Sequence, residues 1–175
     1  RDVYDQGSPI SLFGVAVDTN GLAAADAPIS VHIEANGFKR LVSTVTNSLG
    51  EYAVTFSPLT DEAGAYGVFA GHPDADFHLP QATFSIVGLE FAPKSFNVTM
   101  SQNGTARFVV EIANIGPLSL DALSISSASI SGSGVTLSVD PATFPTELIA
   151  GGKAEAHVLA SADANASSAT LHLVL

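Results

Sequence analysis

Apolar side chains recur at every second position in short runs along this chain, and Gly, Pro, Asn or Asp interrupts those runs about every ten residues. A helix needs apolar residues at spacings of three and four, and no stretch sustains that pattern. The chain is therefore restricted to an all-β fold of short strands, each with one face turned inward. In the first half, strands are expected over 10–17 (ISLFGVAV), 29–35 (ISVHIEA), 40–46 (RLVSTVT), 51–57 (EYAVTFS) and 65–71 (AYGVFAG). The segments DTNG at 18–21, ANG at 35–37 and NSLG at 47–50 supply turns, because Asn and Gly reach positive φ at little cost.

HPDADFHLPQ at 72–81 breaks this rhythm with two prolines and two aspartates, and reads as a linker or crossover loop. ATFSIV after it supplies the last strand of a first sandwich. The domain boundary is expected at 87–88, dividing the chain into 1–87 and 88–175. In the second half, Phe96, Val98 and Met100 alternate along one strand, and Phe108, Val110 and Ile112 along the next. NG at 103–104 between them is a hairpin signal. Further strands are expected near 118–126, 134–139, 153–161 and 168–175, with PATFPTELIAGG as a long connection. Each half has the size of an immunoglobulin-like sandwich, and no repeat links them. The expected fold is two different immunoglobulin-like β-sandwiches in tandem.

Composition narrows the function. The chain is 46% apolar and 13% charged, enough material for packed cores and unlike a disordered chain. Its 17 acidic residues against 6 basic give a net charge of −11. Arg1, Lys39, Arg40, Lys94, Arg107 and Lys153 are too few and too scattered to form a patch for nucleic acid or an anionic membrane surface. The absence of cysteine removes disulfides, thiolate metal sites and a cysteine nucleophile together. No apolar run approaches the roughly 18 residues of a membrane-spanning helix. The chain begins with Arg and has no signal-like start, so it is expected to be a mature or excised piece of a longer protein.

Three segments of the first half, GVAVDTNGLAAADAPISVHIEA, VTNSLGEYAVTFSP and AGAYGVFAGHP, carry a family likeness. On them, residues 8–87 resemble the bacterial Ig-like, macroglobulin-like and carboxypeptidase-regulatory-like modules. FAPKSFNVTMSQNGTARFVVEIANIGPLSL, with Asn114 and Gly116 in an N-x-G turn, makes residues 88–175 look like cell-adhesion-related or hydin-like sandwich modules. Both resemblances imply spacers, stalks and adhesive arrays, or accessory modules beside secreted enzymes.

The stretch NSLGEYAVTFSPLTDEAGAYGVFAGHP at 47–73 shows how such a module would be held together. Tyr52, Val54 and Phe56 alternate in one run and Tyr66, Val68 and Ala70 in the next, as in successive strands of one sheet. SPLTDEAG reads as the connecting loop, and Tyr52, Phe56 and Tyr66 as core residues.

The densest set of chemically capable side chains is His72, Asp74, Asp76 and His78. On an extended backbone these would share one side and suit zinc or calcium. Pro73 and Pro80 argue against a regular strand there, so a solvated interdomain loop is expected and no metal is assigned. Asp18, Asn20 and Gly21 imitate the start of a calcium loop without its later ligands, and a turn is expected. Asp61 and Glu62 read as a solvated pair. ISGSGV at 130–135 lacks the spacing of a nucleophile elbow. His32, His157 and His172 are isolated within strand patterns and read as structural or surface residues. No catalytic or cofactor-binding residue is expected, and the chain is not expected to be an enzyme.

Asn97, Asn103 and Asn165 head three N-x-S/T acceptors, on a strand's solvent face, at a hairpin tip and in a polar loop. They are the expected N-glycosylation sites if the source glycosylates. The resulting expectation is a structural module pair of a secreted or cell-surface protein: a stalk, adhesive array or filament subunit. Its partners would be neighbouring modules or further copies. A carbohydrate- or ligand-binding accessory module is the alternative, disfavoured by the lack of Trp. ISLFGVAV, ARFVVEIA and ATLHLVL have few charged residues to protect an open sheet edge, so strand addition from a neighbour is expected.

Overall fold

The computed structural model describes residues 2–76, 79–94, 100–124, 127–131, 134–166 and 170–174, with 127–131 and 170–174 described through their backbone. All regular structure among these residues is β. The chain divides into two compact units, Arg1–Gly88 and Leu89–Leu175.

The first unit contains β1 (Asp2–Asp5), β2 (Ile10–Val15), β3 (Pro28–Ala35), β4 (Phe38–Val45), β5 (Glu51–Phe56), β6 (Gly64–Gly71) and β7 (Ala82–Val87). Five of these form a sheet of order β1-β7-β6-β3-β4, and β2 pairs with β5 in a second, two-stranded sheet. β1 runs parallel to β7, while the other pairs are antiparallel. Alternation sets which side chains go inward. Ile29, Val31 and Ile33 of β3, Tyr66 and Val68 of β6, and Phe84 and Ile86 of β7 form one buried cluster with Ile10, Val54 and Phe56 of the smaller sheet. Tyr66 stacks on Phe84 at 4.9 Å, with Phe56 5.6 Å from Tyr66 and Tyr4 edge-on to Phe84 at 5.7 Å. Full burial of each such ring contributes roughly 1.5–3 kcal/mol.

Two expectations are corrected here. β5 and β6 are not neighbours in one sheet; they lie in different sheets, and residues 57–63 cross between them. Both strands turn alternate apolar side chains into the same core, so alternation alone cannot say which sheet each joins. Residues 72–81 are not an interdomain loop either. They join β6 to β7, antiparallel neighbours within the first unit. Gln81 fastens the base of this loop, its Nε2 donating to the Ala70 carbonyl at 2.9 Å and its Oε1 accepting from the Ala70 amide at 2.7 Å.

The second unit contains β8 (Leu89–Ala92), β9 (Thr105–Asn114), β10 (Leu120–Asp121), β11 (Ser127–Ser131), β12 (Val135–Val139), β13 (Glu147–Leu148), β14 (Lys153–Ala162) and β15 (Thr170–Val174). β12, β14, β9 and β8 form a four-stranded sheet in that order, and β10-β13 and β11-β15 form two-stranded sheets. Ala156, Val158, Ala160 and Ala162 of β14 and Val110 and Ile112 of β9 are buried, while Lys153, Glu155 and His157 alternate outward. Leu148 of β13 packs with Ile112 and Ala156, against Leu89, Phe91, Leu123, Val139 and Phe144.

Among the described residues of the strand expected over 118–126, only the two of β10 are paired in a sheet. Ala122 takes a positive φ of 55° and turns the chain, and the Leu123 amide donates to the Thr146 carbonyl at 3.1 Å. Of the strand expected along Phe96, Val98 and Met100, residues 96–99 lie outside those described, and Met100 is in no strand. Asn103 does occupy a turn, with φ of 57°, and the Gly104 amide bonds to the Ser101 carbonyl at 2.9 Å. The described partners of β9 beyond that turn are β14 and β8.

Candidate functional site

The most specifically placed polar side chains hold loops. In the first unit, Arg40 on β4 reaches toward the crossing segment 57–63. Its Nη2 meets Glu62 Oε2 at 2.7 Å, its Nη1 donates to the Ser57 carbonyl at 3.2 Å, and its guanidinium lies 5.2 Å from the Phe56 ring centroid. Glu62 Oε2 also accepts from the Leu59 amide at 2.8 Å. Burial, then the hydrogen bond to Glu62, raises the Tyr66 hydroxyl well above the usual phenol range. The expected solvated pair is thus half right: Asp61 is exposed, but Glu62 is 22% exposed and ion-paired. Its partner lies 22 residues away in sequence, and no local signal pointed to it.

Asn114 is the equivalent brace of the second unit. It is 1% exposed, and its Nδ2 donates toward the carbonyls of Leu118 at 2.7 Å, Leu148 at 3.0 Å and Ile149 at 3.1 Å. Its Oδ1 accepts from the Gly116 amide at 3.0 Å, closing the N-x-G turn.

Of the candidate metal residues, His72, Asp74 and Asp76 are among those described. The Ala75 amide bonds to the His72 carbonyl at 2.9 Å, so the backbone turns there instead of extending. Asp74 is almost fully exposed, and its carboxylate lies 3.6 Å from His72 Nδ1. Asp76 is exposed and His78 lies outside the described residues. Among the described residues no group of three or more potential ligands converges. Asp18 closes its own loop: Oδ1 accepts from the amides of Asn20 at 2.8 Å and Leu22 at 2.9 Å. Those bonds, Leu22 first, hold its carboxyl below the usual range. His32 is half-buried on β3, where burial lowers its pKa, and His157 is exposed on β14. The side chain of His172 and the Gly132–Ser133 part of ISGSGV are not among the described parts of the structure.

Of the three sequons, Asn97 lies outside the described residues, while Asn103 and Asn165 are both exposed. The structure brings these two turns together. The Asn103 amide donates to the Asp163 carbonyl at 3.2 Å, and the Asn165 amide to Asp163 Oδ1 at 2.7 Å. Their adjacency was not legible from positions 62 residues apart in sequence.

An open cleft of about 1000 Å³ lies in the first unit between β2 and the larger sheet. Leu12, Tyr52, Val68 and Phe84 contribute apolar lining, and Asp2 and Asp18 contribute carboxylates. No protein-family model, curated protein or solved structure matches the chain.

Proposed function

We propose that the chain is a pair of non-catalytic, immunoglobulin-like β-sandwich modules from a secreted or cell-surface protein, acting as a stalk, adhesive array or filament subunit. The first module is read as related to the bacterial Ig-like, macroglobulin-like and carboxypeptidase-regulatory-like group, and the second to cell-adhesion-related or hydin-like modules. One observation carries this reading. Arg40, Glu62, Asn114, Gln81 and Asp18 direct their polar atoms into their own turns and crossings, as braces of a load-bearing frame. Neighbouring modules or further copies are the partners, and Asn97, Asn103 and Asn165 carry glycans in a glycosylating source.

The cleft beside β2 favours a second reading, an accessory module that binds carbohydrate or another small ligand, since its size suits such a ligand. Thermal unfolding against a panel of oligosaccharides separates the two. The scaffold reading expects an unchanged midpoint throughout. A saturable rise of several degrees, abolished by Tyr52→Ala, would replace it with the ligand-binding reading.

A further inference from the structure

β2 is an edge strand with an open side. Among the described residues it pairs with β5 alone, in the register Ile10 to Phe56 through Val15 to Glu51. The Ala16 amide continues that ladder to the Gly50 carbonyl at 2.8 Å. Backbone groups alternate in direction along an antiparallel strand, so the even positions address β5 while Ser11, Phe13 and Val15 address the open side. Natural edges are protected by Lys, Pro or bulges, and Ile10–Val15 contains none of the first two. Instead, Phe13 is 83% and Val15 63% exposed.

The cleft borders this edge, its lining including Ser11, Phe13 and Val15 together with Asp2 and Phe84 across the gap. Asp2 and Asp18 contribute carboxylates and His72 an imidazole, and among the described residues neither Lys nor Arg lines it. The described cations of this unit, Lys39 and Arg40, are on β4 and ion-paired to Glu34 and Glu62. Six residues of edge span about 20 Å, enough for a short added strand.

We infer that this cleft receives an extended peptide segment from another polypeptide, apolar at alternate positions and flanked by Lys or Arg, which adds as a strand to the open edge of β2. The inference rests on the scaffold reading and names the contact by which the first module engages a partner. Main-chain bonds to Ser11, Phe13 and Val15 provide attachment, alternate apolar side chains enter the cleft, and the basic flanks meet Asp2 and Asp18. Among the described cations of the chain, Lys39, Arg40, Arg107 and Lys153 lie within β4, β9 and β14, already paired in sheets, and Lys94 is ion-paired to Glu90 at 3.4 Å, which disfavours a second copy as the occupant.

The test uses the full chain and two synthetic nonapeptides of alternating valine and threonine, one with lysine at each end and the other with glutamate. Amide hydrogen exchange resolved by residue is the readout. The lysine peptide should bind saturably and slow exchange at Phe13 and Val15 at least tenfold, with the glutamate peptide at least fivefold weaker. Phe13→Pro removes an open-side amide and should weaken the lysine peptide at least tenfold. Val15→Lys changes an outward side chain only, so it tests the same edge if the proline variant unfolds, and should weaken the lysine peptide several-fold. No slowing at β2 up to millimolar lysine peptide, or equal binding of both peptides, would overturn the inference. Protection of β2 that grows with protein concentration alone would also overturn it, by assigning the edge to a second copy. None of these outcomes bears on the oligosaccharide panel, so the scaffold reading stands or falls separately.

Discussion

Asn114 shows how much one polar side chain can hold. Removing it in Asn114→Ala leaves three carbonyls and one amide to find new partners, two of the carbonyls 34 and 35 residues away. A buried network of this kind costs about 2–4 kcal/mol to break, more than a single exposed hydrogen bond. Chemical denaturation should show that loss in one transition only, that of the second unit; a loss below about 0.5 kcal/mol would contradict the bracing role. Asn114 and Gly116 were legible as a turn because both halves of that signal are local. The bonds to Leu148 and Ile149 were not, since nothing near Asn114 in sequence marks its distant partners. Tyr66 gives a pH prediction from the same scale. Its raised folded pKa means the neutral phenol is favoured in the native state, so its contribution is complete below the unfolded value of about 10 and is lost as pH rises beyond it. Tyr66→Phe should flatten the alkaline fall in stability above pH 10, and an unchanged slope would remove this account.

Strands were legible where alternation was long and its inward residues large, as in Ile29, Val31 and Ile33 of β3. They were illegible where the strand is too short to show a period and turns a single large side chain inward, as Tyr4 does in β1. β1 is four residues of DVYD, recognisable only through its parallel register with β7. At 118–126, the apolar alternation of Leu118, Leu120 and Ala122 changes phase at Leu123, where the positive φ of Ala122 turns the chain. Turns decide register at this scale. Gly50 has φ of 75°, and a Cβ built on it would lie 2.5 Å from the Ala16 carbonyl oxygen, a backbone atom that cannot swing aside. Asn47 completes the same turn, its Oδ1 accepting from the Leu49 and Glu51 amides at 2.9 and 3.0 Å. Gly50→Ala should therefore cost about 1–3 kcal/mol and loosen the β2–β5 pair. Faster amide exchange at Ala16 would report that loosening, whereas wild-type exchange and midpoint would contradict it. The Arg40–Glu62 pair was beyond sequence reading for the same reason as Asn114: the crossing 57–63 that unites its members exists only once the two sheets are assigned.

The whole molecule comprises two separately packed bodies, each with its own core and its own internal braces. The all-β class was legible because period-two runs recur along the whole chain, and the scarcity of charge in ISLFGVAV already marked it as a poorly protected edge, while the cleft beside β2 was not legible, because it appears only when the sheet order is known. The most direct test of the scaffold reading is to pull the chain from its two ends by single-molecule force spectroscopy. Units of 88 and 87 residues should unfold in two separate events, each lengthening the chain by about 250–300 Å. A single event releasing the whole length, or extension with no resolved resistance, would contradict two independent load-bearing modules.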